Sequence, residues 1–568
     1  MKSQLKKLLL IALTVVILVQ PLAACKSKED TTSSSSGTSS GSSSGTASGT
    51  GSGGGSQASS EEAGNPYAEP VTISVANFDI PVDAESSDLF TKEGEKYYDP
   101  RWQLLAEKFN VRIEYRAYEY SIHQDQLRTM IAADDMPDAM MSTFGAAENL
   151  KYVNDGMLKV LPKGYEENYP NIKASLDMIL QRDAFKTEDG RYFAIPRALE
   201  GAEPYIDYNM SIYYRKDLAQ KAGVEIKDAY TVEELYNMFE KVQAANPDMI
   251  MFNHIWPDNM LQLGLIQAVP EIVAGFYLDK STNQYVFAFQ NPKMVDGIKT
   301  FKKFFNAGFI DKEFFNQPMY EARNQFSNNK LFSYFDGFDV LFYDQAVSNY
   351  KKSNPDADAN AAVGFAWLLD NEGNYQGVES GNSWSEWIFN AKIEDKVLER
   401  FLAIYDYLLS EEGLYLSNLG REGIDYKIEG DKIISLRQID PETGLPVPFN
   451  TDKTVGDHLT PLINGALPDS RINYLNPKYS DEVKETVRHF WDIRKNASNL
   501  KVIEFDLAKA SFVGEYYSKA TLKPIEGIYK IVYEKSMDEI EAAWQKWLDE
   551  NSQQINNILN ELNSNLIK

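Results

Sequence analysis

The sequence predicts an α/β protein, and three observations carry that prediction. From Pro66 onward, β-rich segments alternate with amphipathic helical ones. The alternation begins only after a leader and a Ser/Gly-rich stretch that offers nothing to a core. The chain has a single cysteine, so no disulfide framework stands in for an ordinary hydrophobic interior.

Lys2, Lys6 and Lys7 precede an apolar run from Leu8 to Val19, and Leu22-Ala23-Ala24-Cys25 follows. This is the pattern of a secretory signal peptide. Its end looks like a lipobox, which is cut before a cysteine that then carries lipid. Residues 1–24 are therefore expected as leader and Cys25 as lipid anchor. The run is shorter than the roughly 20 apolar residues that cross a bilayer, and no second run approaches that length. Lys26 to Asn65 contains no apolar side chain larger than Ala. Residues 25–65 read as a disordered tether with an r.m.s. span of roughly 35 Å. Gly51 to Ser56 is glycine-rich but lacks the preceding strand and following helix of a phosphate loop. A formal net charge of −26 repels polynucleotides and anionic headgroups, which argues against a nucleic-acid partner.

The globular elements follow in order. Val71 to Ala76 is a β-rich opening strand, and Arg101 to Phe109 sets Trp102, Leu105 and Phe109 on one helical face. Val111 to Tyr115 alternates apolar and charged residues as a second strand. Gln124 to Ala133 reads as a helix stopped near Pro137. Thr231-Val-Glu-Glu opens a helix with a capping-box pattern. Further helices are expected over Pro292 to Asn306, Lys396 to Leu409 and Asp481 to Lys495. Ser536 to Leu566 spaces Ile540, Trp544, Trp547, Leu548, Ile555, Leu559 and Leu562 at helical intervals, expected as a helix pair docked on the body. Asn354 to Asn360 is rich in oxygen ligands but lacks the central Gly and closing Glu of a calcium loop, so it reads as a solvated turn.

Taken in sequence, these segments resemble an extracellular solute-binding protein of an ABC importer. The group is family 1, which binds sugars and oligosaccharides, and the likeness runs to the large lipoproteins of Gram-positive bacteria. Met130-Ile-Ala-Ala-Asp-Asp-Met-Pro-Asp138 resembles the family's turn before its third strand. Gly190-Arg-Tyr-Phe-Ala-Ile-Pro196 resembles the strand before its first interdomain crossing, and Tyr213-Tyr-Arg-Lys-Asp-Leu218 the strand-to-helix element after it. Thr231-Val-Glu-Glu-Leu, Leu408-Leu-Ser-Glu-Glu-Gly413 and Gly420-Arg-Glu-Gly-Ile-Asp-Tyr426 complete the series. The joint order over Pro66 to Trp547 carries the likeness, since each motif alone is common sequence. One departure is clear. Some relatives carry an oxygen-rich, calcium-loop-like segment where this chain has Ala245-Asn-Pro-Asp-Met-Ile-Met251, so no metal is expected there.

The resemblance implies a periplasmic-binding-protein-like fold, two α/β lobes around a hinge with a ligand cleft. The N-terminal lobe would hold residues 66–199 and about 380–418. The C-terminal lobe would hold about 200–379 and 419–568. It also implies a monomer without cofactor, tethered at the extracellular face of the membrane. Such a protein captures a carbohydrate by hinge closure and delivers it to ABC permease subunits.

A sugar offers apolar C–H faces and a rim of hydroxyls, so its site needs aromatic platforms beside planar polar groups. Trp384-Ser-Glu386-Trp387 after the Gly-containing Glu379 to Asn382 supplies both types, although the two indoles fit a core equally well. Trp256 precedes Pro257 in a loop-like stretch and is a second platform candidate. Asp336 and Asp79 are candidate hydroxyl acceptors, Asp79 because it ends the first strand. Tyr208 is included because Tyr205 to Asn209 lies at the first crossing.

A cell-surface glycoside hydrolase would need two carboxylates about 5–10 Å apart, a criterion without force in a chain of 83 acidic residues. His123, His254, His458 and His489 are scattered, and the chain has no HExxH, nucleophile elbow or Walker loop. A binding protein rather than an enzyme is expected. A surface receptor signalling to a sensor kinase requires the same two-lobed body and stays open beside import.

Overall fold

Alternating burial sets the first strand: Val71, Ile73 and Val75 are buried while Thr72 is exposed, so β1 (Val71–Asn77) lays its branched residues on a core. The computed structural model describes residues 66–77, 88–119, 122–179, 182–198, 210–256, 259–260, 262–273, 275–379, 383–441, 444–447, 470–504 and 521–566. All belong to the unit Gly64–Lys568. The leader, Cys25 and the tether lie outside the described residues.

The first sheet has the order β2-β1-β3-β13-β4, with β2 (Val111–Ala117), β3 (Ala139–Ser142), β4 (Ile195–Ala198) and β13 (Ser383–Phe389). β1 runs parallel to β2 and β3, while β13 runs antiparallel to both β3 and β4. The carboxyl ends of β1 to β4 and the amino end of β13 therefore share one edge. Helix Pro100–Phe109 buries Trp102, Leu105 and Phe109, and Asp99 caps it by accepting the Arg101 N–H. Helix His123–Ala132 ends ahead of Pro137.

The second sheet has the order β6-β11-β5-β10-β7, built from β5 (Met210–Arg215), β6 (Ala229–Tyr230), β7 (Ile250–His254), β10 (Leu331–Gly337) and β11 (Val363–Leu368). β5 is antiparallel to β10 and β11, whereas β7 and β6 run parallel to β10 and β11 respectively. Here too the carboxyl ends of four strands and the amino end of β5 share an edge. Three small ladders complete the strands: β8 (Phe276–Asp279) with β9 (Gln284–Phe287), β12 (Tyr375–Glu379) with β16 (Leu500–Glu504), and β14 (Tyr426–Glu429) with β15 (Lys432–Ser435).

The cores are separate. The first sheet packs on residues between Val71 and Ala198 and again between Trp387 and Leu416. The second packs on residues between Ile212 and Leu368, joined by Tyr479–Phe490 on one side and Ile528–Leu562 on the other. The Thr231 capping box forms as the sequence predicts, with reciprocal bonds between Thr231 and Glu234. The C-terminal segment differs from its expectation. Ile540–Ser564 is one continuous helix rather than a pair, because no Pro or Gly interrupts it; its partner is the preceding helix Pro524–Glu534. Asn354 caps helix Val340–Ser353, and Asp358 starts the next short helix by accepting the Ala361 N–H. The oxygen-rich turn is thus spent on helix ends. Among the described residues no helix is long and apolar enough to cross a membrane.

Candidate functional site

Connectivity fixes where a ligand site falls. The chain leaves the first sheet at Ala198 and enters the second at Met210, passing from one carboxyl edge to the other. It returns from β12 into β13 at Ser383, again at the carboxyl edge of the first sheet. Strand carboxyl ends at a junction between sheets are where open α/β architectures hold ligands.

At the first edge, Glu386 on β13 stands opposite Ser142, the last residue of β3. The chain then turns through Thr143 and Phe144 into helix Gly145–Asn154, with Gly145 at φ 75° where a side chain would be strained. Phe144 offers that helix no side-chain cap. Glu386 supplies one from across the sheet. Its Oε1 accepts the Gly145 N–H at 3.0 Å, the Ser142 hydroxyl at 3.0 Å and the Asn149 amide at 2.6 Å. Ser142 Oγ in turn accepts the Phe144 N–H at 3.0 Å. Glu386 is 2% exposed, and its Oε2 accepts no hydrogen bond among the described residues. Burial pushes its carboxyl up to about 7, against the opposing pull of those donors and of Arg197 on β4.

At the second edge, Asp336 near the end of β10 is 3% exposed and gripped by Arg323, whose Nε donates to Oδ2 at 2.7 Å and whose Nη2 donates to Oδ1 at 3.0 Å. The Gly337 N–H also reaches Oδ1, at 2.7 Å. Burial raises the Asp336 carboxyl and the guanidinium opposes the rise. Asp339 behaves likewise, pushed to about 6 by burial while it caps helix Val340–Ser353. Past β7, Trp256 is half-buried, its indole 5.9 Å from the His254 ring, and its backbone N–H donates to His254 Nδ1 at 3.0 Å. With Nδ1 accepting, the neutral imidazole carries its proton on Nε2. His254 in turn stacks on Phe335 at 5.5 Å.

The predicted residues separate accordingly. Glu386 and the backbone of Trp384 lie at the first edge, and Asp336 and Trp256 at the second. Two are placed otherwise than the sequence reading held. Trp387 is 0% exposed and packs edge-on against Phe401 at 5.1 Å, so it fills the first core and offers no ring face. Asp336 is no open acceptor, because both oxygens are committed to Arg323. Asp79, Tyr208 and the Trp384 side chain fall outside the described residues. Sequence reasoning missed Ser142, Asn149 and Arg323. A strand ending on Ser142-Thr143-Phe144-Gly145 before a helix was a signal for the first two, but nothing local links Arg323 to Asp336. Among the described residues no group of three His, Cys, Asp or Glu side chains is placed to hold a metal ion. Two open grooves, of about 760 Å³ along Leu522–Tyr533 and about 780 Å³ between Leu104–Lys108 and Tyr415–Tyr426, contain none of the predicted residues.

Residues 103–414 match the sequence model of a family described as bacterial extracellular solute-binding protein. No curated protein sequence matches the chain. Solved structures do. The alginate-binding protein AlgQ2, crystallised without calcium, is similar at TM-score 0.63 and 16% identity, over 88% of this chain and 98% of that one. The human-milk-oligosaccharide-binding solute-binding protein of Bifidobacterium longum infantis is similar at TM-score 0.55 and 14% identity, with the same coverage of 88% and 98%. The N-glycan transport solute-binding protein NgtS of Streptococcus pneumoniae, in complex with Man5GlcNAc, gives 0.52 and 15%, again over 88% and 98%. At such identities the likeness establishes a shared fold.

Proposed function

The chain belongs to the bacterial extracellular solute-binding family, and from that premise we propose that it is the carbohydrate-capturing subunit of an ABC importer. The single observation that carries the reading is the double crossing: the chain passes into and out of the first sheet at its carboxyl edge, with buried polar groups gathered there and at the carboxyl edge of the second sheet. The similar structures bound to or named for oligosaccharides support an oligosaccharide as ligand.

In this reading residues 66–199 with about 380–418 form one lobe, and 200–379 with 419–568 the other. The lobes close on the ligand as a hinge, because contacts that bridge both lobes exist only in the closed state. Trp384 and Trp256 are the aromatic platforms, Glu386 accepts a hydroxyl through Oε2, and Asp79 and Tyr208 extend the polar rim. The protein works as a monomer, held to the outer membrane face by lipid on Cys25, and hands its cargo to the permease without hydrolysing it.

Calorimetry on the purified chain with kestose, chitotetraose and Man5GlcNAc tests this. At least one of them is expected to bind with a Kd in the micromolar range or tighter. Silence towards all three, and towards a wider panel of oligosaccharides in thermal-shift assays, would remove the carbohydrate reading. Release of shortened sugars in excess over protein would make the chain an enzyme.

A further inference from the structure

We infer that Arg323 is the ligand-gripping residue of the second lobe, donating the outer edge of its guanidinium to two adjacent hydroxyls of a neutral sugar. The inference rests on the carbohydrate reading and adds to it a residue and a ligand chemistry.

The geometry is that of a donor fixed in advance. Arg323 uses one side of its fork, Nε and one N–H of Nη2, on the two oxygens of Asp336. The other side, Nη1 and the remaining N–H of Nη2, has no partner among the described residues. The side chain is 17% exposed, and Nη1 is not among the fully buried side-chain atoms left without a hydrogen bond. Two rings hold the plane in place, Tyr320 at 4.7 Å and Phe342 at 5.4 Å from Cζ. Gly337 lets Phe342 approach, since a Cβ there would stand 3.0 Å from the ring.

The support is built at a cost that a surface ion pair would not need. Tyr320 sits at φ 64°, a conformation a bulky residue rarely adopts. Its N–H is tied to the Ile255 carbonyl at 2.8 Å, one residue before Trp256. Arg323 is thereby locked to the same loop as the candidate platform. Asp336 pairs in register with Ser211, next to the point where the first crossing enters β5. The guanidinium therefore stands at the carboxyl edge where a ligand between the lobes would meet it.

The ligand class follows from charge. Asp336 already neutralises Arg323, and the protein as a whole carries −26, so a carboxylate or sulfate would gain little and meet repulsion. Adjacent hydroxyls match two parallel N–H donors without that penalty.

Calorimetry against kestose, chitotetraose, Man5GlcNAc and an oligomannuronate tests the inference, using the chain, its Arg323→Lys variant and the double variant Arg323→Gln with Asp336→Asn. The lysine keeps the charge beside Asp336 but loses the fork, and the double variant leaves no buried charge unpaired. The neutral ligand that the unmodified chain binds is expected to weaken roughly 10- to 100-fold in both, with ligand-free melting temperatures close to the parent. If the parent binds a neutral sugar and both variants bind it equally well, the inference falls and the carbohydrate reading stands. If the parent prefers the oligomannuronate, the neutral-hydroxyl assignment falls. If the parent binds no sugar, the carbohydrate reading falls and takes the inference with it.

Discussion

Glu386 Oε1 accepts the backbone N–H of Gly145 at 3.0 Å, so a strand that returns to the first sheet caps a helix that lies 241 residues earlier in the chain. The first edge of the candidate site is thus assembled only when β13 is in place. Among the described residues, no donor reaches the other oxygen of the carboxylate that closes the sheet.

The raised Glu386 carboxyl gives a pH signature with a definite sign. Its value of about 7 lies above the ordinary 4.5, so between those limits the folded state holds a proton that the unfolded state gives up. The stabilisation is present in full below pH 4.5 and is lost as the pH rises through 7, a change of about 3 kcal/mol over that window. Glu386→Gln keeps an acceptor oxygen for Asn149, Ser142 and Gly145 without the ionisation. Its stability relative to the parent should rise between pH 5 and pH 8 in urea titrations. A difference that does not change with pH would remove this account of the site.

The three tryptophans should part company. Trp387→Ala empties a fully buried indole from the first core and should cost about 3–5 kcal/mol of unfolding free energy. Trp384→Ala and Trp256→Ala should instead lower oligosaccharide affinity by about tenfold or more, with only a small fall in melting temperature. Calorimetric binding unaltered in both would strip them of the platform role.

Gly527 tests the docking of the terminal helix. It lies inside helix Pro524–Glu534, where alanine would gain about 1 kcal/mol in helix propensity. A Cβ there would stand 2.5 Å from Trp547 Nε1, and Trp547 cannot yield freely because it stacks on Trp544 at 4.9 Å and 5°. Overpacking of this kind costs roughly 1–3 kcal/mol, so the clash should win. Gly527→Ala is expected to lower the melting temperature and shift the tryptophan emission; a more stable variant would refute the close approach.

Thr231→Ala removes one half of a formed capping box and should cost about 1 kcal/mol, measured by chemical denaturation. Thr231→Ser should restore nearly all of it. A neutral alanine variant would mean that the packing of Val232, Leu235 and Phe239 holds this helix start without the cap.

Much of the fold was legible because it is written in local periodicity. The alternation along Val71–Asn77, the Trp102, Leu105 and Phe109 stripe and the Asp481–Lys495 helix each follow from neighbours a few residues apart. The helix pair expected near the C-terminus failed on the same logic, since an apolar stripe that continues without Pro or Gly is better served by one helix. The candidate site was only half legible. Trp256, Glu386 and Asp336 stood out by residue type, but nothing local ties Arg323 to Asp336, and the long-range bond from Asn149 to Glu386 exists only in the assembled sheet.

By itself the sequence determined the class of protein: a long α/β body with an ordered series of family motifs. These rest on composition and near-neighbour pattern, which need no knowledge of what packs against what. Only the tertiary structure decided the roles of individual side chains. Glu386 and Trp387 are adjacent, yet the pleat sends one to the helix Gly145–Asn154 and the other to Phe401, and no local signal fixes which. The same holds for Asp336, which became the partner of Arg323 because helix Glu321–Ser327 packs back along β10 and sets Arg323 beside the strand's carboxyl end. Strand register and long-range burial made those assignments, and both are properties of the assembled sheet.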